Sequence, residues 1–150
     1  MNAMQSSEPR AVGGCLCGAV QYEIHGTLYN VINCHCSKCR RIHGHVSAYA
    51  SSKRKNLKLV EQSGLKWYRS IQDETPDVSR GFCQECGSRL FWDARGDVNI
   101  YISAGTLDQP TGLKTSGHIW LSQAGDYYEL TDELEKYELD SSGKLVGNEA

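Results

Sequence analysis

The chain reads as a mostly β domain, and three observations lead there. Apolar and polar residues alternate with a period of two at several places, the repeat of a strand with one buried face. Such runs recur between glycine-bearing turns, and the 150 residues hold 15 glycines but only 3 prolines. Helical periodicity is nearly absent. Short strands at regular spacing indicate an all-β or mostly β architecture, and the length fits one domain with a modest core.

Taken in order, Val20, Tyr22 and Ile24 alternate with Gln21 and Glu23, and Val98-Asn99-Ile100-Tyr101-Ile102 repeats the pattern. Further strands are expected at 29–33, 46–50, 57–61, 65–71, 78–82, 89–92, 118–121 and 127–130. Single turns of helix are expected at 37–42 and 107–109. No repeat, low-complexity block or linker divides the chain. The expected domain covers 13–140, between polar, flexible tails at 1–12 and 141–150. Trp67, Trp92 and Trp120 lie in strand-like runs and are expected in the core. His25 and His118 stand alone without partner spacing, and Asp108 reads as a turn or cap residue.

No run approaches the roughly 18 continuous apolar residues of a membrane span, and residues 1–12 lack the apolar core of a secretory signal. The expected setting is therefore cytoplasmic and reducing. The net charge of −2 hides an uneven distribution. Between positions 31 and 60 lie seven basic residues, Lys38, Arg40, Arg41, Lys53, Arg54, Lys55 and Lys58, and no acid. Seven positive charges in a net acidic chain are a weak footprint for nucleic acid. They suit a small anionic ligand, or a solvated face. The acidic stretch 126–140 reads as solvated surface.

The seven cysteines form three tight groups: Cys15-Leu16-Cys17, Cys34-His35-Cys36-Ser37-Lys38-Cys39 and Cys83-Gln84-Glu85-Cys86. An odd number argues against a disulfide framework, and closely spaced cysteines repeated at a distance are a metal signature. The count splits into four and three. The two outer pairs would complete a closed site of four thiolates, which holds a fold together. The middle triplet leaves a metal one ligand short, and an open position is what zinc chemistry requires. His43, four residues past Cys39, is the candidate that would close the second site. A metal-free reactive thiol activated by Lys38, Arg40 and Arg41 is the remaining reading.

In order, these groups resemble the glutathione-dependent formaldehyde-activating enzyme family, also called the GFA or centromere-protein-V-like family. The matching segments are Gly14-Cys15-Leu16-Cys17-Gly18, Cys34-His35-Cys36-Ser37-Lys38-Cys39-Arg40-Arg41 and Phe82-Cys83-Gln84-Glu85-Cys86-Gly87-Ser88. Ser103-Ala104-Gly105-Thr106-Leu107-Asp108-Gln109-Pro110 and His118-Ile119-Trp120 match as well. The resemblance implies a β-tent fold of several coiled antiparallel sheets with two zinc ions. Cys15, Cys17, Cys83 and Cys86 would hold a structural zinc, and Cys34, Cys36 and Cys39 a catalytic one. The implied partners are a small-molecule thiol and an aldehyde. The implied reaction joins formaldehyde to glutathione, giving S-(hydroxymethyl)glutathione, the work of a carbon–sulfur lyase. Lys38, Arg40 and Arg41 would then bind the glutathione carboxylates. A non-catalytic zinc module for a protein partner is the alternative.

Overall fold

The computed structural model describes residues 8–69 and 77–147. Eleven strands and one helix follow in order: β1 (Ala11–Gly14), β2 (Gln21–Ile24), β3 (Leu28–Cys34), α1 (Ser37–His43), β4 (Ser47–Lys53) and β5 (Leu57–Glu61). After these come β6 (Leu65–Arg69), β7 (Val78–Cys83), β8 (Arg89–Ala94), β9 (Asn99–Ser103), β10 (Thr115–Ile119) and β11 (Glu135–Lys136). They build two sheets, a three-stranded one ordered β1-β2-β5 and an eight-stranded one ordered β11-β10-β3-β4-β9-β8-β7-β6. Among the described residues no helix is long and apolar enough to cross a membrane.

Alternation sets the core. On β2, Tyr22 and Ile24 turn inward with Val20 just before them, while Gln21 stays exposed. They meet Leu28, Val31, Ala50, Leu90, Phe91, Ile100, Ile102 and Leu107 from the larger sheet and its loops. Full burial of an Ile or Leu side chain contributes about 1.5–3 kcal/mol. The Tyr22 hydroxyl, taken inside with its ring, is satisfied by the Thr106 hydroxyl at 2.7 Å. Helix α1 is short and depends on its ends. Cys36 Sγ accepts from the Cys39 N–H at 3.3 Å, and Gly44, with φ 80°, closes the other end by donating to the Arg40 carbonyl. A left-handed residue there favours glycine.

Several expectations need correction. The larger sheet is not wholly antiparallel, because β10 runs parallel to both β3 and β11. That strand ends at Ile119, since Trp120 takes a left-handed conformation, φ 61° and ψ 38°, that no strand continues through. Residues 127–130 form no strand; Tyr127 and Tyr128 instead pack their rings on His45. The turn expected at 107–109 lies earlier, a 3-10 turn at Ala104–Thr106, because Leu107 is buried and bridges Gly13. The Asp108 N–H donates to the Val12 carbonyl at 2.9 Å, so Asp108 belongs to this junction. Pairing starts at Ala11, two residues before the expected domain boundary, and Ser141 and Leu145 are buried beyond the other. Trp67 is 40% exposed, and Trp92 and Trp120 are half-buried, so none is a core residue in the sense expected. Residues 70 and 71 of the strand expected at 65–71 lie outside the described residues.

Candidate metal centre and its aromatic face

The first cysteine group is assembled from distant loops. Cys15 and Cys17 follow β1, Cys83 ends β7 and Cys86 sits in the turn to β8. The sulfurs of Cys15 and Cys17 are 3.7 Å apart, as are those of Cys17 and Cys83. All four sulfurs lie within 4.8 Å of one another. A tetrahedral site with Zn–S distances of about 2.3 Å has S···S edges of about 3.8 Å, so the four fit one zinc ion. Backbone bonds brace them: Cys15 N–H to the Val20 carbonyl, Cys83 N–H to the Ser88 carbonyl and Gly87 N–H to the Cys83 carbonyl. Ser88 Oγ ties the loops together, accepting from the Leu16 N–H at 3.0 Å and lying 3.2 Å from Cys86 Sγ. Hydrogen bonds from the Ser88 side chain and backbone push the Cys86 thiol down to about 5, toward the thiolate form that a metal ligand needs.

The second group is local. Cys34 closes β3, Cys36 caps α1 and Cys39 is its one buried residue, and the three sulfurs lie within 4.8 Å of one another. This trio also could hold a zinc ion. Its sulfurs share protons unequally. Bonds with Cys34 and then Cys39 push Cys36 far down, while bonds with Cys36 and Cys39 push Cys34 far up.

His43 is not among the converging side chains. Its Nε2 lies 2.9 Å from the Tyr49 hydroxyl, and burial pushes its pKa down to about 4. Among the described residues, no fourth Cys, His, Asp or Glu joins the trio. Lys38 and Arg41 are exposed on α1. Arg40 is half-buried, and its Nε has no hydrogen-bond partner among the described residues. Two further cations, Arg89 and Arg80, lower the basicity of His43 by their charge. Neither was singled out in the sequence, because each lies more than 35 positions from the trio.

His118, read in the sequence as a lone imidazole, is the centre of a hydrogen-bonded chain. Its Nε2 meets Asp132 Oδ2 at 2.9 Å, and its Nδ1 meets His35 Nε2 at 2.9 Å. His35 Nδ1 in turn lies 2.6 Å from the Tyr128 hydroxyl. An ionised carboxylate only accepts, so one arrangement satisfies every atom. His118 donates to Asp132, His35 donates to His118, and Tyr128 donates to His35. Burial, before all else, holds His35 down to about 4, so it stays neutral. His25 is not alone either, lying 2.6 Å from Glu23.

Strand register lines up one more feature. Cross-strand partners share a face. Cys34 pairs Ser47, Tyr49 pairs Ser103, and Tyr101 pairs both Ser51 and Trp92. Trp92 pairs Arg80, which pairs Tyr68. Cys34, Tyr49, Tyr101 and Trp92 thus stand on one face of the larger sheet, opposite the core. Trp92, Tyr101, Ile119 and Trp120 pack on the buried cluster of Cys34, Cys39 and Tyr49.

The profile of the glutathione-dependent formaldehyde-activating enzyme family matches residues 10–123, which contain both cysteine groups. The chain belongs to that family. Its fold is similar to a crystal structure of a Rhodobacter sphaeroides protein, with 28% identity and a TM-score of 0.53 over 65% of this chain and 88% of that one. Family membership and two cysteine groups that could hold zinc agree on a zinc-binding member of the glutathione-dependent formaldehyde-activating enzymes.

Proposed function

We propose that the chain is a zinc-dependent carbon–sulfur lyase acting on adducts of glutathione, or a similar thiol, with formaldehyde or another small aldehyde. The observation that carries this reading is the cysteine trio, whose three sulfurs converge while the His43 imidazole is engaged by Tyr49. A zinc ion held by Cys34, Cys36 and Cys39 would stabilise a thiol as thiolate near neutral pH, and three thiolate ligands favour that task over carbonyl polarisation.

The chain's residues supply the rest. In the adduct-forming direction the substrate sulfur bonds to the aldehyde carbon, the C=O π bond breaks, and the thiol proton ends on the new hydroxyl. The reverse direction returns thiol and aldehyde. Arg40 is the best placed of the three helix cations to take a substrate carboxylate, since its Nε is buried without a partner among the described residues. Lys38 and Arg41, exposed on the same helix, add positive charge at longer range. Cys15, Cys17, Cys83 and Cys86 would hold a structural zinc that clamps β1 to the β7–β8 turn. A second site closed by His43 would support the rival module for a protein partner, and the bond of His43 to Tyr49 favours the enzyme instead.

The test is calorimetric titration of the zinc-loaded protein with reduced glutathione. Saturable binding, lost in Cys36→Ser with the fold intact, is the expected result. Absence of heat in fully metallated protein would refute glutathione as the thiol, and unfolding of Cys36→Ser would make the second site structural.

A further inference from the structure

We propose that the second cysteine group opens on an aromatic cleft that receives the carbon skeleton of an aromatic, or comparably flat and apolar, aldehyde. This rests on the reading of the trio as the thiol site and goes beyond formaldehyde as the carbonyl partner. Two independent features place rings there. The first is register: Tyr101 and Trp92 are direct cross-strand partners, with ring centroids 5.3 Å apart in an edge-to-face arrangement, on the face that carries Cys34. The second comes from the opposite side. Trp120, immediately after β10, is held at φ 61° and ψ 38° and packs on the same cysteine cluster.

That conformation is uncommon for a bulky residue and is found where surrounding structure imposes it. Here the imposing bonds are visible: the Trp120 N–H donates to the Leu139 carbonyl at 2.9 Å, and its carbonyl accepts from Gln123 at 3.1 Å. The backbone is bent so that a third ring stands beside the trio. All three rings are half-buried and keep accessible surface. A cleft lined by aromatic side chains with a few fixed polar groups is the usual form of a small-molecule site. A hydroxymethyl group has one carbon and cannot contact rings on both sides. A phenyl group on the same sulfur can lie between them, with the edge-to-face or offset contacts that aromatic pairs prefer.

The experiment uses the zinc-loaded full chain and two thioethers, S-benzylglutathione and S-methylglutathione, followed by calorimetry and tryptophan emission. The first stands for an aromatic aldehyde adduct and the second for that of formaldehyde. S-benzylglutathione is expected to bind at least about tenfold tighter, the discrimination an apolar pocket gives for a few carbons, and to change the emission. Trp120→Gly suits the left-handed backbone and should fold; it and Trp92→Ala should each bring the ratio toward one with little change for S-methylglutathione. Equal affinities in the wild type, or a ratio that both variants leave unchanged, would overturn the cleft. Benzyl mercaptan and ethanethiol separate the two levels of the reading. If neither glutathione conjugate binds but benzyl mercaptan outbinds ethanethiol, the cleft stands and glutathione fails. If benzyl mercaptan shows no advantage either, the cleft fails too.

Discussion

Replacing His118 by Leu tests whether the Asp132–His118–His35–Tyr128 chain carries stability. His118 is 2% exposed and His35 1%, so water cannot repair what the substitution breaks. Leucine fills much of the imidazole's space but offers no acceptor, leaving the His35 Nε2–H buried and unpaired. An orphaned buried donor costs about 1–3 kcal/mol. The bond to Asp132 adds little, because that carboxylate is exposed and screened. The expected loss is about 2–3 kcal/mol, or roughly 5–10 °C of Tm for a chain of this size. Urea unfolding of the zinc-loaded wild type, both single variants and His35→Leu/His118→Leu gives the answer. With both imidazoles gone no polar atom of the pair remains unsatisfied, so the double variant should be less destabilised than the summed singles by about 1–2 kcal/mol. A single-variant loss under about 0.5 kcal/mol, or strict additivity, would show that the chain is not a stabilising unit.

Other outcomes follow from the same geometry. Gly64→Ala places a Cβ 2.7 Å from Ala19 Cβ and 2.9 Å from Cys83 Sγ, on a backbone fixed by bonds to Ala19 and Gln84. It should cost about 1–3 kcal/mol and weaken one of two bound cations, read by chelator competition; unchanged affinity at both sites would count against the packing. Cys83→Ser should lower Tm sharply while Cys36→Ser leaves it nearly unchanged, and equal shifts would contradict the division between the groups. The Asp132 carboxyl is held down to about 2, chiefly by its bond from His118. A depressed carboxyl stabilises the fold above its ordinary pKa of 3.8 and loses that contribution as pH falls toward 2. The stability gap between wild type and Asp132→Asn, small because the carboxylate is exposed, should therefore close across that window, and a constant gap would refute the assignment.

What the sequence revealed was local. Strand β2 was legible because Tyr22 and Ile24 repeat at the strand period, and the cysteine groups because their spacing is short. Thr115-Ser116-Gly117-His118 has no such alternation, and nothing local says that β10 runs parallel to β3. Residues 127–130 misled for a definite reason: tyrosine and leucine favour strands, but Tyr128 hydrogen-bonds His35 across 93 positions and stacks on it. His118 was misread likewise, its partners lying 83 positions before it and 14 after. The aromatic face was the least visible of all. Tyr49, Tyr101 and Trp92 sit on three strands, and only register lines them up.

The two cysteine groups differ in what their closure costs, and that sets their roles. The first joins sulfurs from positions 15 to 86, so a metal held there would have to offset the loop-closure entropy of a segment of some seventy residues. Metal binding there would be folding free energy, and its removal would return that entropy to the unfolded chain. The second spans positions 34 to 39 and is already shaped by the end of β3, by α1 and by the Cys36 cap. A metal held there would organise few residues beyond the ligands. Stepwise chelation should therefore strip the trio first with the far-ultraviolet dichroism unchanged, and unfolding should accompany loss of the second equivalent. Simultaneous loss of both equivalents with the fold would mean that the trio is part of the structural clamp, and the case for chemistry at its open side would fall with it.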